Sequence, residues 1–267
     1  MRKRPLHKIA ADKYREIAAF WRHSRTPLGL TLDTLRLKSA PFVAESSDSI
    51  KVELRPGAGE SFTFYENLIR RDYLANGIRL GAGATVVDIG ANIGTFTVLA
   101  ASIVGPTGRV IAFEPVSATF ARLQSNVALN GLHNVVACRE AVDGRDGTIE
   151  IRIDAKSALS TAYGAIGPGE QAVVESVPCL SIGGLFDRHH IDRIQLLKVD
   201  CEGGEYGIFR SLTPQLASRI DQIAMEVHRV SGESIDALAQ TLQSLGFSIK
   251  RFGMNWVAMG NQSRPPA

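Results

Sequence analysis

The sequence is poor in cysteine and has no long apolar run, and each shortage argues against a class of protein. Its three cysteines, Cys138, Cys179 and Cys201, show no paired spacing, so neither a disulfide framework nor a zinc site is indicated. No apolar stretch reaches the roughly 18 residues that a membrane-spanning helix needs. Charged residues early in the chain also interrupt any signal-peptide core. We therefore expect a cytoplasmic protein.

Charge is distributed unevenly along the chain. The 267 residues, 45% of them hydrophobic and 21% charged, are typical of one globular α/β domain with an extension. Residues 1–40 contain ten Lys and Arg against three Asp and Glu, which gives +7 there and −4 for the remainder. This basic arm suggests an anionic partner: a membrane surface contacted peripherally, a nucleic acid or a phosphate-bearing glycan carrier. A solvated helix would carry the same charge.

The strongest pattern is a strand that ends in an acid and is followed by a small-residue turn. Residues 86–97 read VVDIGANIGTFT, and the following strand ends in Glu114-Pro115. Such turns bind nucleotides at the carboxyl edge of open α/β sheets, where an acid on the second strand accepts hydrogen bonds from a ribose. The pair predicts a nucleoside site, although small residues also serve helix–strand packing.

The composition of this turn selects among nucleotides. Counting from Gly90, Asn92 stands where a dinucleotide fingerprint requires its second glycine, and Asp88 would place negative charge beside phosphates. Both features disfavour a nicotinamide-dependent dehydrogenase. They suit S-adenosylmethionine, which carries an adenosine, an ammonium and a sulfonium but no phosphate.

The order of elements predicts a mostly parallel sheet covered on both faces. A basic amphipathic helix is expected over residues 8–24, in which Phe20 and Trp21 either anchor at a membrane or pack on the domain. Residues 39–60 suggest a linker or an edge hairpin, and residues 144–180 a loop over the carboxyl edge, with an exposed strand at 149–153. We expect strands near 85–90, 110–114, 135–140, 194–200, 222–228 and 247–258, and helices near 62–79, 94–104, 117–130, 203–211 and 233–245.

A second cluster of polar residues follows two later strands. Lys198, Asp200 and Glu202 alternate along the end of one strand, and Glu226 and His228 share a face of the next. Parallel strands would bring them to the same sheet edge as the glycine turn. Asp200 could equally be a helix N-cap, and Lys198 could neutralise a buried carboxylate structurally. We favour a functional role for Asp200 and Glu202. For His228, a catalytic or substrate role and a hydrogen-bonded surface position are equally open.

Together these blocks resemble the FkbM-type S-adenosylmethionine-dependent methyltransferases, over roughly residues 62–258. Cys201 and Gly204 depart from the usual pattern of that family, in which a branched aliphatic and a larger residue are commoner. The matching segments are residues 87–94, 112–115, 126–132, 197–205 and 225–228.

That resemblance implies a class I methyltransferase Rossmann-like fold: a seven-stranded sheet with an antiparallel C-terminal hairpin in residues 61–267, preceded by a helical extension and linker in residues 1–60. It also implies methylation of a hydroxyl on a sugar, a glycan or a glycosylated natural product. Glu114 with Pro115 would hold the ribose, and Glu140 with Ala141 the adenine region. The methionine end would lie on Asp88, Gly90, Ala91, Asn92, Gly94, Thr95 and Phe96.

The transfer itself is an in-line displacement that needs a deprotonated acceptor oxygen. The base would be His228, Asp200 or Glu202, with Lys198 and Glu226 beside it. Alternatively, Asp200, Glu202 and Glu226 could hold Mg²⁺ and lower the pKa of the hydroxyl.

Acceptor specificity is expected in residues 157–169, which include Tyr163, and in the N-terminal arm. Asp200-Cys201-Glu202-Gly203 stands where some base methyltransferases have an Asn/Asp-Pro-Pro-aromatic run, so we expect no nucleic-acid base as acceptor. Another acceptor (an RNA ribose, a lipid, a protein or a small molecule) and a non-catalytic scaffold that keeps the cofactor fold remain alternatives.

Overall fold

The structure is a computed structural model that describes residues 6–154, 160–161 and 172–260. A π-helix, Tyr65–Arg70, and a 3₁₀ helix, Asp72–Leu74, follow helix α3. The α-helices are α1 Leu6–His23, α2 Pro27–Thr34, α3 Glu60–Phe64, α4 Thr95–Val104, α5 Ser117–Leu129, α6 Ile182–Arg188, α7 Glu205–Ser211, α8 Pro214–Ala217 and α9 Ile235–Ser244. The strands are β1 Phe42–Glu45, β2 Lys51–Leu54, β3 Thr85–Ile89, β4 Arg109–Phe113, β5 Val135–Cys138, β6 Ala141–Asp143, β7 Gly147–Asp154, β8 Ser160–Thr161, β9 Ala172–Ser181, β10 Leu196–Val199, β11 Gln222–Glu226, β12 Phe247–Phe252 and β13 Asn255–Gly260.

The predicted seven-stranded sheet is confirmed, in the order β12-β13-β11-β10-β3-β4-β5. Its five strands from β11 to β5 run parallel, and β13 pairs antiparallel with both β11 and β12. Val87 and Ile111 face one buried cluster beneath α6, α7 and α9, whereas Val86 and Val110 face another beneath α4. Because side chains alternate along a strand, these apolar runs cover both faces of the sheet.

The N-terminal segment packs on the main domain. Residues 39–60 form a hairpin through the antiparallel pairing of β1 with β2, but as a separate two-stranded sheet and not at the edge of the main sheet. Phe20 is fully buried, in one cluster with Val52 and with Val98 of α4, while Trp21 is 60% exposed. Phe20 therefore packs on the domain, and the division at residue 60 stays a prediction. Within the described ranges, no helix is long and apolar enough to cross a membrane.

The predicted loop over residues 144–180 is wrong in its described parts, whereas the strand expected at residues 149–153 is confirmed as part of β7. Strand β7 pairs along its whole length with β9, and β6 and β8 complete a second sheet in the order β6-β9-β7-β8. Ile151 and Val177 are 5% and 1% exposed, so this sheet has a core of its own. Its pairing joins segments about 25 residues apart in the chain, which local patterns do not reveal. Tyr163 lies outside the described residues.

The predicted helix over residues 62–79 is also only partly correct. Helical structure begins at Glu60, passes into a π-helix and ends at Leu74. Arg71 breaks the run because its backbone is left-handed, with φ +56°. The 3₁₀ helix that follows contacts β11 and brings Tyr73 to the carboxyl edge of the sheet.

Candidate active site

The glycine turn after β3 lies against the segment that follows β10. Gly90 has φ +77°, and an added Cβ would lie 1.8 Å from the carbonyl oxygen of Asp200. The backbone N–H of Asp200 donates to the carbonyl oxygen of Ile89 at 3.0 Å. Glycine is required here both by its backbone conformation and by this close approach. The two motifs found in the sequence are therefore in direct backbone contact.

Asp88 and Lys198 support the turn from beneath. Both are buried, with Lys198 Nζ 3.1 Å from Asp88 Oδ1 and donating to the carbonyl oxygen of Gly90 at 2.7 Å. The Thr97 hydroxyl donates to the other Asp88 oxygen at 2.6 Å. Burial lowers the pKa of Lys198, but the charges of Asp88 and Asp200 outweigh it and raise that pKa above its usual value. The lysine therefore stays charged and fixes the turn.

The remaining turn residues have separate positions. Ala91, Thr95 and Phe96 are buried, and an added Cβ at Gly94 would lie 2.6 Å from Leu123 Cδ1. Thr95 accepts a hydrogen bond from the Asn67 amide at 2.9 Å, and the Asn67 Oδ1 atom has no partner among the described residues. An orphaned buried oxygen is costly unless a ligand satisfies it.

Glu114 lies at the end of β4, where the sequence places a ribose acceptor. Its two carboxylate oxygens accept the backbone N–H groups of Asn92, at 2.9 Å, and Val116, at 3.0 Å. Burial raises its pKa to about 7 despite these two hydrogen bonds. Each oxygen retains a second lone pair for a ligand hydroxyl.

A cavity opens beside Glu114, between the main sheet and the second sheet. It contains five carboxylates, and no lysine or arginine lines it in the described part of the chain. A phosphorylated ligand would be repelled there, whereas a nucleoside with a cationic sulfur and ammonium would be attracted. Apolar side chains offer a surface for a flat ring, so the residues present fit S-adenosylmethionine. The walls are Ile89, Gly90, Asn92, Phe113, Glu114, Pro115, Val116, Thr119, Glu140, Ala141, Val142, Asp143, Ile149, Ile151, Asp200, Cys201, Glu202 and Gly204.

On the other side of Asp200, the second cluster converges. One ligating atom each from Asp200, Glu226 and His228 lies within 4.8 Å of the other two. His228 Nε2 is 3.9 Å from Asp200 Oδ1 and 3.5 Å from Glu202 Oε2. The structure thus brings together the acids and the imidazole that the sequence places at one sheet edge.

Glu205 determines the charge state of His228. This fully buried acid lies 2.5 Å from His228 Nδ1 through its Oε1 atom. Burial alone would lower the pKa of His228, but the hydrogen bond and charge of Glu205, with Glu202 and Asp200, raise it to about 9. At neutral pH the side chain is therefore an imidazolium, which cannot accept a proton.

The His228 imidazole is expected to titrate near pH 9 by two-dimensional NMR, with its resonance assigned through His228→Gln. Glu205→Gln should lower that pKa, because it removes the negative charge that counteracts the effect of burial on the imidazole. Since the folded pKa exceeds the unfolded value of 6.5, the stabilisation by His228 is complete below that pH and is lost as pH rises through about 9. The five other histidines are internal controls. A wild-type value near 6.5 would contradict this arrangement.

Tyr73 is a site residue that sequence reasoning missed, and Glu66 of the π-helix has a shifted pKa to which charges of the site contribute. The Tyr73 hydroxyl donates to Asp200 Oδ2 at 2.8 Å, and its ring packs edge-on against Phe96. Burial raises the pKa of Glu66 to about 7, and the charges of Asp72, Glu226 and Asp200 add to this. A π-helix such as Tyr65–Arg70 often marks a functional site, but no sequence pattern predicts one.

The metal set proposed from the sequence differs from the group in the structure. Asp200 and Glu226 converge with His228, whereas Glu202, the third predicted Mg²⁺ ligand, is not part of that group. Mg²⁺ prefers oxygen ligands, and the imidazole would first have to lose its proton. This donor set does not fit Mg²⁺.

Comparisons with known proteins find a matching family model and several relatives. Residues 88–249 match the family model of the methyltransferase FkbM domain. The chain is 27% identical to the 31-O-demethyl-FK506 methyltransferase FkbM of Streptomyces tacrolimicus, over 82% of this chain and 90% of that protein. It is 26% identical to Methyltransferase 1 of Beauveria bassiana, over 79% and 90% respectively. A solved FkbM methyltransferase from Methylobacillus flagellatus aligns at 16% identity with a TM-score of 0.48, over 70% of this chain and 46% of that one.

Proposed function

The chain belongs to the FkbM methyltransferase family, and we propose that it methylates a hydroxyl of a sugar, a glycan or a glycosylated natural product. It is an S-adenosylmethionine-dependent methyltransferase with a small-molecule acceptor. The observation that carries the proposal is the convergence of Asp200, Glu226 and His228 directly beside the acid-lined cavity. The relative from Streptomyces tacrolimicus is named for transfer to an oxygen, which supports a hydroxyl acceptor.

In this proposal the cavity holds the cofactor. Glu114 accepts hydrogen bonds from the ribose, and Glu140 with Ala141 borders the adenine. The turn from Gly90 to Asn92 would carry the methionine end. When bound, S-adenosylmethionine supplies an electrophilic methyl group on a positively charged sulfur.

We assign the proton acceptor to Glu226. Its carboxylate accepts no hydrogen bond from the described residues, so its oxygens are open to an acceptor hydroxyl. Burial raises its pKa, and Asp200 and Glu202 raise it further, which makes it a stronger base than an ordinary glutamate. Asp200, held by Tyr73, orients the acceptor. Glu226 becomes neutral as it takes the hydroxyl proton, and the His228 imidazolium stabilises the negative charge that develops on the acceptor oxygen.

The purified protein, incubated with methyl-labelled S-adenosylmethionine and an extract of glycans and lipids, tests this function. We expect label on an oxygen of a hydroxylated product, identified by mass spectrometry. Calorimetry with S-adenosylmethionine separates two failures. Binding without any transfer would count against catalysis, and no binding heat would count against the cofactor site. Transfer to a nitrogen would overturn the hydroxyl assignment.

We also propose that the basic N-terminal arm contacts an anionic surface. Ten Lys and Arg against three Asp and Glu in residues 1–40 give this segment a charge opposite to that of the remainder. Such a segment attracts anionic partners at low salt and loses that attraction as salt is added.

A further inference from the structure

Helix α1 presents an apolar stripe to solvent. Tyr14 and Trp21, seven residues apart and thus on one side of the helix, are 75% and 60% exposed. Phe20, which precedes Trp21 and is therefore about 100° away around the helix, packs into the core. Exposing two large aromatic side chains on one face has no structural benefit, so the stripe indicates a binding surface.

Helix α2 extends this stripe. Leu28, Thr31 and Leu35 are spaced by three and four residues, so they lie on one side of the helix. The Trp21 indole N–H donates to the Thr31 hydroxyl at 3.2 Å, so Trp21 lies against the side of α2 that carries Thr31. Leu28 and Leu35 are 60% and 51% exposed, and Leu37 just beyond them is 70% exposed. We call Tyr14, Trp21, Leu28, Leu35 and Leu37 the N-terminal apolar surface.

A basic stripe runs along the edge of the N-terminal apolar surface. Lys8, Arg15 and Arg22 are all exposed, and each follows by one residue a position of the heptad series that contains Tyr14 and Trp21. One residue corresponds to about 100° of rotation around the helix. Cationic side chains therefore flank the aromatic ones along the length of α1.

We propose that the N-terminal apolar surface inserts into the interface of a bilayer that contains anionic lipids. Tyr and Trp favour the headgroup level, while leucines reach the acyl boundary and lysines and arginines bind anionic headgroups. A second copy of the chain fits less well, because it would bring two segments of +7 together. The inference rests on the anionic contact proposed above, which it deepens, and is independent of methyl transfer.

Tryptophan fluorescence reports on this surface directly. The chain has two tryptophans, and Trp256 is 2% exposed, so changes in emission arise from Trp21. With vesicles of phosphatidylcholine and phosphatidylglycerol we expect a blue shift and quenching by brominated acyl chains. Vesicles of phosphatidylcholine alone should give a much weaker response.

The double variant Leu28→Ser/Leu35→Ser should bind the anionic vesicles about tenfold or more weakly, since it removes two inserted side chains. Phe252→Ser, which changes another exposed hydrophobic residue (48% exposed), is the matched control and should bind as the wild type does. Circular dichroism checks the fold, and calorimetry with S-adenosylmethionine should give unchanged binding. Arg15→Gln/Arg22→Gln should weaken binding and reduce its salt dependence.

Three results would overturn the insertion. If the protein sediments with anionic vesicles but shows no blue shift, it binds the membrane electrostatically without inserting. If it does not bind the vesicles at all, the electrostatic contact is excluded as well. A blue shift that depends on protein concentration, without vesicles, would identify a second copy as the occupant. None of these bears on whether the protein binds S-adenosylmethionine.

Discussion

Glu226→Gln is expected to lower kcat by about 10²- to 10⁴-fold, the usual contribution of a positioned base. Glutamine keeps the shape of the side chain but cannot accept a proton. Glu226 ends β11 half-buried, with one oxygen within 4.8 Å of both an Asp200 oxygen and a His228 nitrogen. The binding of S-adenosylmethionine should not change, since Glu226 does not line the cavity in the described part of the chain. Steady-state transfer of labelled methyl groups measures kcat, and calorimetry measures cofactor binding.

The pH profile provides a second readout of this base. Because burial and neighbouring charges raise the pKa of Glu226, wild-type kcat should fall as pH decreases through that raised value, and the variant should lack this limb. Asp236→Asn removes an acid that is 83% exposed on α9, and should leave kcat unchanged. Undiminished kcat in Glu226→Gln would reject the assignment.

Gly90→Ala should abolish cofactor binding and destabilise the fold. The new Cβ would lie 1.8 Å from the Asp200 carbonyl oxygen, so the turn or the segment after β10 must shift. Overpacking costs about 1–3 kcal/mol. A left-handed backbone costs an alanine about 1–2 kcal/mol more. We therefore expect the free energy of unfolding to decrease by roughly 2–5 kcal/mol.

Gly232→Ala is the matched control for this change. Gly232 also has a positive φ, +84°, but an added Cβ there would meet nothing within 4 Å. Gly232→Ala should lower the free energy of unfolding only by the cost of a left-handed backbone, and it should bind S-adenosylmethionine as the wild type does. Urea unfolding and calorimetry with S-adenosylmethionine measure the two effects. Tight cofactor binding by Gly90→Ala would show that the turn does not hold the ligand.

The parts of the fold and site that lie next to each other in the sequence could be predicted. Gly90, Glu114 and the acids after β10 each follow an apolar strand, and parallel strands bring their carboxyl ends to one edge. The alternation of strands and helices from residue 85 onward likewise predicted a mostly parallel sheet. These inferences depend only on local periodicity and on sheet geometry.

Contacts between distant segments could not be predicted. Tyr73 reaches Asp200 across 127 residues of sequence, from a 3₁₀ turn that no local pattern separates from the helix expected there. Glu205 lies in a segment that the sequence singles out, but its hydrogen bond to His228, which raises the pKa of that histidine to about 9, joins residues 23 positions apart that no local pattern connects. Only part of the second sheet could be predicted: alternation marked residues 149–153 of β7 as a strand, but the pairing of β7 with β9 joins segments that no local pattern connects.

The backbone contact between Gly90 and Asp200 has a consequence for how acceptor preference can change. The glycine turn after β3 and the acids after β10 are joined by a backbone hydrogen bond between Asp200 and Ile89. They are also joined through Lys198, which donates to the Gly90 carbonyl oxygen. The spacing between the two reaction partners is therefore set by the sheet itself. Under the proposed function, substitutions outside these two segments can change the acceptor while the alignment of the methyl transfer is kept.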